Sequence, residues 1–204
     1  MRKLVSGKMI YEPGIPFPTP STEVRYFEEL GLLVEPGSPR DIFRIAYELA
    51  FKDVRLMLLT HPHLDHLANA IAFPEARLVR NPKRDKYSEG TRRYRIRNAI
   101  RSALELLIVN DSDTRKELEE DVLYRSTDLH FPGHLVFIVK GYAFVGDSFP
   151  PVEAIKEKLS KGEKFSGRLA KHMRDVAENA ELIITAHRGS IKPEEVLEVT
   201  RFFF

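Results

Sequence analysis

Four side chains able to bind a metal ion are concentrated in the stretch that runs from Thr60 to His66. Its sequence is Thr-His-Pro-His-Leu-Asp-His, so the four candidates are His61, His63, Asp65 and His66. Imidazole nitrogens suit zinc or iron, and a carboxylate adds negative charge and a group that can carry a proton. Three of the chain's seven histidines lie here, a density that chance placement does not explain. The stretch therefore predicts a metal site.

The neighbouring segments predict that this stretch is a turn between a strand and a helix. Residues 54–59 are apolar apart from Arg55 and form a run of the length expected for a buried strand, and residues 67–73 have the pattern of a helix start. In an extended segment, residues two apart point the same way, so His61 and His63 can bind one ion. The aspartate and the last histidine lie beyond the bend, where they can reach a second ion.

A further histidine, His187, directly follows an apolar strand predicted for residues 182–186. Metal ligands are typically presented on loops that a rigid strand positions, and Arg188-Gly189 permits a sharp turn there. The sequence thus indicates His187 as a ligand. His172 instead lies on a predicted helix beside its apolar face, which is typical of a border or surface histidine.

Asp147 also ends an apolar strand, and it is preceded by Gly146, which lets the backbone approach another group closely. Two interpretations stay open from the residues alone. The carboxylate could bridge two metal ions, or it could be an ordinary β-turn aspartate.

The bulk composition is that of a soluble globular protein. A chain of 204 residues with 43% hydrophobic and 30% charged residues can form one domain with a sizeable core. No apolar run approaches the roughly 20 residues of a membrane span, and Met1–Gly7 lacks the apolar core of a secretory signal, so we expect a cytoplasmic protein without membrane contact. Cysteine is absent, which leaves histidine and carboxylate as the metal ligands.

Positive charge is concentrated between Arg77 and Arg101, where ten basic and two acidic residues occur although the whole chain carries only +2. One interpretation is a cap over the site that attracts an anionic substrate such as a nucleotide, RNA, a phosphoester or an acidic thioester. Tyr87 and Tyr94 among the arginines would suit base stacking. The other, which we favour, is a solvated helix that pairs with the acidic run at 111–121.

Periodicity and turn residues predict a mixed order of strands and helices. Strands are predicted at 8–11, 23–27, 31–35, 54–59, 76–80, 136–140, 142–145 and 182–186, and helices at 39–50, from 67, and at 90–110, 113–123, 151–159, 167–180 and from 193. Such an order predicts sheets with helices packed outside them. No repeat or linker divides the chain, so we expect a single domain over residues 1–204, with a basic helical segment at about 83–125 that could cap the site.

Taken together, the His-x-His-x-Asp-His stretch after a strand, the later histidines and the Gly-Asp after a hairpin strand resemble the metallo-β-lactamase fold superfamily. The resemblance spans about residues 20–190. It implies an α/β fold, a four-layer αββα sandwich with a dinuclear metal site at the edge between its two sheets. His61 and His63 would hold the first ion, Asp65, His66 and His187 the second, and Asp147 would bridge them.

The resemblance also implies a third histidine in the first group, and His130 and His134 are the two candidates. The chain reads Leu129-His130-Phe131-Pro132-Gly133-His134. Aligning His130 with the family ligand keeps the Pro-Gly and the following strand in register without a gap. We choose His130, which leaves His134 a structural or ligand-orienting histidine.

Two departures from the family pattern are visible. Glu35-Pro36-Gly37 stands where the family often has aspartate-x-glycine near the site, so Glu35 is expected to reach the site differently. Leu129 replaces the usual glycine before the third histidine, which changes the local backbone requirement.

The function that the resemblance implies is a hydrolase of an ester, thioester, lactone or phosphoester, with a metal-bridged hydroxide as nucleophile and Asp65 as the group that accepts or passes on a proton. Two divalent ions are expected. Zinc is the favoured ion, and iron and manganese are the alternatives. A nuclease or phosphodiesterase acting on an anion drawn by residues 77–101, and an iron-dependent oxidoreductase such as a sulfur dioxygenase, are the competing functions. A small molecule is the favoured substrate over nucleic acid, and the oligomeric state is left undefined by the sequence.

Overall fold

The structure of the chain is a computed structural model, which describes residues 1–8, 20–81, 111–112 and 122–203. The strands are β1 (Arg2–Val5), β2 (Val24–Phe27), β3 (Leu32–Val34), β4 (Leu56–Leu58), β5 (Arg77–Val79), β6 (Asp111–Ser112), β7 (Val122–Thr127), β8 (His134–Val139), β9 (Tyr142–Gly146), β10 (Leu182–Thr185) and β11 (Gly189–Ile191). The α-helices are α1 (Ile42–Leu49), α2 (Leu64–Leu67), α3 (Val152–Ser160), α4 (Gly167–Ala177) and α5 (Pro193–Thr200). Short 3-10 helices cover Glu28–Leu30, Pro39–Asp41, Ala68–Ala72 and Arg201–Phe203.

Within the described residues, the strands form two sheets. The first has the order β1-β2-β3-β4-β5-β6, antiparallel at its β1–β3 end and parallel from β3 to β6. The second has the order β11-β10-β9-β8-β7, in which only β9 and β10 are parallel. Parallel neighbours bring their carboxyl ends to the same edge, so the turns after β4 and β10 can each present ligands at a sheet edge.

Three buried clusters define the layers, because successive side chains of a strand point to opposite faces. In β4, Leu56 and Leu58 contact the second sheet, whereas Met57 packs with the α1 residues Ile45 and Leu49. The second sheet divides in the same way. Its inward residues Leu135, Phe137 and Val139 join the cluster between the sheets, and its outward residues Val136 and Ile138 pack under α3, α4 and α5. Helix, sheet, sheet and helix therefore follow one another, which confirms the predicted αββα sandwich.

Most predicted elements are present with their ends shifted by a few residues. The hairpin predicted around Gly141 is formed by β8 and β9, with positive φ at Lys140 and at Gly141. The helix predicted from residue 67 begins earlier, at Leu64, and continues as a 3-10 helix. Of the strand predicted at 8–11, only Lys8 is described, and it forms an isolated bridge with Ser21.

Four strands were not predicted. The sequence predicts a loop at the opening of the chain apart from residues 8–11, but Arg2–Val5 forms β1 and pairs with β2. The helix predicted at 113–123 is wrong at Val122 and Leu123, which lie in β7. The helical segment predicted at about 83–125 is wrong at 111–112, which form β6, and from Val122 on, where β7 begins. The turn after His187 leads into β11. The helix predicted at 90–110 lies outside the described residues.

The structure gives no sign of a membrane-spanning helix, since none of the helices it describes is both long enough and apolar enough to cross a bilayer.

Candidate metal centre

The turn after β4 is held by hydrogen bonds to both sheets. Leu59 N donates to Val79 O of the first sheet (3.0 Å), and Leu135 N of the second sheet donates to Thr60 O (2.8 Å). His63 has extended backbone angles and lies at the N-cap of α2, which therefore starts directly after it. This places Asp65 and His66 within the one turn of α2. The bend predicted from the sequence is thus the start of this short helix.

The first set of converging side chains, here called the first ligand group, consists of His61, His63, His130 and Asp147. One possible ligand atom from each lies within 4.8 Å of all the others. His61 Nε2 is 2.8 Å from His63 Nδ1, and His130 Nε2 is 3.4 Å from Asp147 Oδ2. The residues come from the β4 turn, the loop before β8 and the end of β9, so both sheets contribute to the group.

The second ligand group consists of Asp65, His66 and His187, whose ligand atoms also lie within 4.8 Å of one another. His187 Nε2 is 3.2 Å from Asp65 Oδ2, and His66 Nε2 is 3.5 Å from the same oxygen. Helix α2 of the first sheet's layer and the turn after β10 of the second sheet supply these side chains.

Asp147 lies between the two groups. Its Oδ1 is 3.3 Å from His187 Nε2, and its Oδ2 is 3.7 Å from the Nε2 atoms of both His61 and His66. One carboxylate thus faces histidines of both groups, which is the position that a bridging ligand requires.

Gly146 makes this position of Asp147 attainable. Its φ is +53°, in the left-handed region that glycine adopts readily. A Cβ atom at this residue would lie 2.4 Å from Thr60 Oγ1 and 2.9 Å from His134 Cε1. The predicted close approach is therefore to the β4 turn and to the histidine at the start of β8.

The donor set fits a divalent metal ion, and the most direct indication is a buried nitrogen. His66 Nε2 is buried and has no hydrogen-bond partner in the described part of the chain. It faces carboxylate oxygens of Asp65 and Asp147 at 3.5 and 3.7 Å, distances too long for a hydrogen bond. A buried polar atom without a partner is costly, and an ion held between these groups would satisfy it.

The histidines of the first ligand group are neutral at physiological pH. Burial lowers the pKa of His61 well below its usual range, and the neighbouring His66 and His63 lower it further. Burial and the charge of His66 lower the pKa of His63 to about 3. Burial also lowers the pKa of His130, although Asp147 opposes the effect. Neutral imidazole is the form that binds a metal ion.

The second ligand group has the opposite electrostatic character. Burial alone would lower the pKa of His66, but the charges of Glu35 and Asp65 outweigh it and hold that pKa well above its usual range. Burial is likewise outweighed at His187, where Asp147 and Asp65 raise the pKa to about 9.

Both carboxylates of the site are ionised at neutral pH. Burial raises the pKa of Asp147, but the contacts with His187 and His66 outweigh burial and hold the pKa well below its usual range. Burial also acts to raise the pKa of Asp65, and the charges of His66 and His187 bring it below its ordinary value.

Glu35 connects β3 to both parts of the β4 turn. The residue is 2% exposed, and its backbone has a positive φ of 58°. Oε2 accepts a hydrogen bond from His66 Nδ1 (2.9 Å), and Oε1 accepts one from Thr60 N (3.3 Å). A carboxylate on the far nitrogen of a candidate ligand fixes its tautomer and its ring orientation. The sequence marked Glu35 only as a departure from the family pattern, because a contact with His66 cannot be inferred from spacing.

Backbone groups of the segment before β2 position His187. Its Nδ1 donates to Ser21 O (3.0 Å), which leaves Nε2 to face the carboxylates. The preceding residue is held as well, since Glu23 N donates to Ala186 O (2.7 Å). Gly7 packs so closely here that a Cβ atom would lie 1.8 Å from Ala186 O. Sequence reasoning missed these partners, which have no motif.

The two remaining histidines lie outside the ligand groups. His134 is buried, and its Nε2 contacts Val145 O at 3.0 Å, so it supports the strand that leads to Asp147. His172 of α4 contacts the ring of Phe149 edge to face, with centroids 5.7 Å apart. The structure thus places His130 among the candidate ligands and His134 behind them, and the choice of His130 as the metal ligand stays a prediction.

Comparisons with known proteins concern the family and the fold of the chain. The profile of the metallo-beta-lactamase superfamily matches residues 14–187. A curated relative, named as a probable metallo-hydrolase of Methanocaldococcus jannaschii, is 26% identical over 153 residues. The match covers 73% of this chain and 64% of the relative, so the chain spans less than two thirds of the length of that relative.

Solved structures share the fold. A candidate metallo-beta-lactamase from Thermotoga maritima has a TM-score of 0.72 at 20% identity, covering 94% of this chain and 98% of that one. The metallo-beta-lactamase FIM-1 from Pseudomonas aeruginosa, in its mono-zinc form, has a TM-score of 0.60 at 14% identity, covering 97% of this chain and 88% of that one. With the family profile spanning most of its length, the chain belongs to the metallo-beta-lactamase superfamily.

Proposed function

We propose that the protein is a hydrolase that uses two divalent metal ions to hydrolyse a small ester, thioester, lactone or phosphoester. Zinc is the ion that we favour. The observation that carries the proposal is the position of Asp147, whose two carboxylate oxygens face histidines of both ligand groups at 3.3 to 3.7 Å. The family membership and the relative named as a metallo-hydrolase support a metal-dependent hydrolytic activity.

The chain's own residues have distinct roles in this proposal. His61, His63 and His130 would hold the first ion and Asp65, His66 and His187 the second, with Asp147 shared. Bound ions at these positions would supply Lewis acidity and lower the pKa of water. Asp65 is ionised and 4% exposed, and its Oδ2 faces His187, which supports a role for Asp65 in accepting a proton.

A cavity of about 420 Å³ opens beside the candidate ligands His130, Asp147 and His187. Its walls include the apolar residues Leu129, Phe149, Pro150, Pro151 and Leu169. This volume lies in the range of small-molecule sites, which combine mostly apolar walls with a few polar groups. The cavity therefore supports a substrate with an apolar portion that extends from the scissile bond.

Arg188 adds a positive charge to the cavity wall. Its backbone N donates to Thr185 Oγ1, and its guanidinium has no ion pair with any residue in the described ranges. A guanidinium is suited to bind a carboxylate or phosphate through two hydrogen bonds. We therefore favour a substrate that carries an anionic group on its apolar portion.

Metal removal and reloading test the activity. The purified protein is stripped with a chelator, reloaded separately with Zn²⁺, Mn²⁺ or Fe²⁺, and assayed on para-nitrophenyl esters, a thioester, a lactone and a phosphodiester. We expect hydrolysis of at least one class that the chelator abolishes and one of the ions restores. A protein that binds the ions but hydrolyses none of these substrates would contradict the proposal. Oxygen consumption with a persulfide by the iron-loaded protein would favour the oxidoreductase instead.

A matched pair of esters tests the role of Arg188. Para-nitrophenyl hemisuccinate and para-nitrophenyl butyrate share a leaving group and an acyl length, but only the first has a terminal carboxylate. We expect Arg188→Ala to raise the KM for the hemisuccinate about fivefold, the effect of losing an ion pair worth about 1 kcal/mol. The KM for the butyrate should stay unchanged. Arg55→Ala is the control, since Arg55 lies before β4, at the end opposite the site. Equal effects of Arg188→Ala on both esters would exclude a charge-specific role.

The nuclease or phosphodiesterase alternative, in which the basic run at 77–101 draws an anionic substrate, stays a prediction. Only residues 77–81 of that run lie within the described structure.

A further inference from the structure

Helix α1 is apolar on nearly its whole circumference. From Ile42 to Phe51 the sequence is Ile-Phe-Arg-Ile-Ala-Tyr-Glu-Leu-Ala-Phe, in which Arg44 and Glu48 are the two charged residues. A helix on the surface of a protein normally has one apolar side, and a helix that is apolar all round is normally buried. The composition of α1 is therefore that of a helix with contacts on two sides.

Among the described residues, α1 has packing partners on one side only. Ile45 and Leu49 are buried against the first sheet. On the opposite side, Phe43 is 88% exposed, Tyr47 is 84% exposed and Phe51, just beyond the helix, is fully exposed. These are the largest exposed fractions among the big apolar side chains that the structure describes.

The exposed side has a ridge and a groove. Phe43, Tyr47 and Phe51 follow one another at intervals of four residues and form a ridge of rings along the helix. Ala46 and Ala50, also four apart and both exposed, form a row of small side chains next to that ridge. A ridge spaced by four residues fits into a groove spaced by four residues, which is the commonest way that helices pack. One surface thus carries both halves of a complementary contact.

We infer that this face of α1 is the contact surface of a homodimer, with the α1 helices of two copies packed across a twofold axis. In such an arrangement the aromatic ridge of each copy lies over the alanine row of the other, so one patch satisfies both partners. The inference is independent of the proposed hydrolase function, because no residue of the α1 face belongs to the ligand groups or the cavity wall.

The exposed area is sufficient for a specific dimer. An aromatic side chain contributes about 150–250 Å² when it is buried, so the three rings at their exposed fractions represent about 500 Å² per copy. Two copies would bury about 1,000 Å² through these rings alone, the size at which a specific interface becomes reasonable. Left uncovered, the same patch would be at the upper end of what a monomer exposes.

Sedimentation equilibrium of the full chain tests the inference. We expect the wild-type protein to be a dimer at about 10–100 µM, and Tyr47→Glu to raise the dimer dissociation constant by at least about 100-fold, because each dimer would bury two unpaired carboxylates. Tyr47 is exposed in the monomer, so the substitution should leave the far-ultraviolet circular dichroism unchanged, and the thermal unfolding midpoint should equal that of wild type at protein concentrations at which both are monomeric. Phe202→Glu, which alters a 65% exposed aromatic residue near the C-terminus, is the matched control and should remain a dimer.

Three outcomes would overturn the inference. The first is a wild-type protein that is monomeric at about 100 µM. The second is a dimer whose dissociation constant is the same in Tyr47→Glu and in wild type. The third is a monomeric wild type that co-sediments with phosphatidylglycerol vesicles through Phe43, Tyr47 and Phe51, which would assign the face to a lipid surface.

Discussion

The histidines of the first ligand group face mainly one another, whereas those of the second group face carboxylates. His61 and His63 contact each other through ring nitrogens, and burial keeps their pKa values low. His66 and His187 lie against Asp65, Asp147 and Glu35, which keep their pKa values high. Asp147 faces histidines of both groups.

This difference shows how one short turn can supply two unlike sites. His61 and His63 are presented by an extended backbone, and the loop before β8 adds His130 to their group. Asp65 and His66 are presented by α2, and the buried carboxylate of Glu35 supports His66. In the metal-free protein the histidines of the first group are neutral rings, and the second group is a compact network of opposite charges.

The largest effect is expected from removing the residue that the two groups share. Asp147→Ala should lower both the metal content and the hydrolytic rate, the rate by more than about 100-fold, which is the upper end of the loss when only a supporting group is removed. Asp147→Asn keeps the size of the side chain and tests whether the charge is needed. Metal analysis after gel filtration, together with initial rates, measures both effects. Loss of a single ion would place Asp147 in one group only.

The next largest effect separates the two candidate histidines before β8. His130→Ala should release one ion per chain, because His130 Nε2 faces Asp147 at 3.4 Å. His134→Ala should keep both ions and instead lower the thermal unfolding midpoint, because it removes a buried ring and its contact with Val145 O. Full metal occupancy in the His130 variant, with a loss in the His134 variant, would reverse the assignment.

A smaller effect is expected from the carboxylate behind His66. Glu35→Gln should weaken binding of the second ion by about 10–100-fold and leave the first ion in place, since Glu35 orients His66 but contacts none of the first group's histidines. Glu35→Asp, the residue frequent in the family, tests the length of the side chain. Competition titration with a chromophoric chelator measures the two affinities. An equal loss at both sites would argue against separate support of the two groups.

The smallest effect concerns pH in the metal-free protein. His63 has its pKa lowered to about 3, so its contribution to stability is present above pH 6.5 and is lost as the pH falls toward 3. His187 has its pKa raised to about 9, so its contribution is present below pH 6.5 and is lost as the pH rises through 9. The thermal unfolding midpoint should therefore be highest near pH 6.5.

The unfolding midpoint is expected to fall by about 2–4 °C on either side of pH 6.5, the shift that about 1 kcal/mol causes in a chain of this length. His187→Asn should weaken the alkaline fall and keep the acidic one. An unfolding midpoint that does not change between pH 6.5 and 9.5 would contradict the ion-pair network around His187.

The sequence was sufficient where an element and its chemistry are local. The β4 turn was predictable because an apolar strand, the ligand spacing and a helix start are adjacent, and the β8–β9 hairpin because Gly141 lies between two apolar runs. The αββα layers followed from the family resemblance and are confirmed. The sequence predicted that the backbone at Gly146 approaches another group closely, but it did not predict that this group is the β4 turn.

Other features depend on contacts between distant parts of the chain. Strand β1 is short and carries Arg2 and Lys3, so no apolar alternation marked it, and it forms because β2 offers a partner. Strand β7 lacks a regular pattern and forms as the edge partner of β8. The contacts of Glu35 with His66 and of His187 with Ser21 O join residues 31 and 166 positions apart, which spacing cannot reveal.

The number of metal ions bound per chain tests the central claim most directly. The metal-free protein is loaded with excess Zn²⁺, freed of unbound ion by gel filtration and analysed by inductively coupled plasma mass spectrometry against a measured protein concentration. Two ligand groups that share Asp147 predict two zinc ions per chain. A ratio that stays at one or below with Zn²⁺, and equally with Mn²⁺ and Fe²⁺, would contradict the dinuclear site.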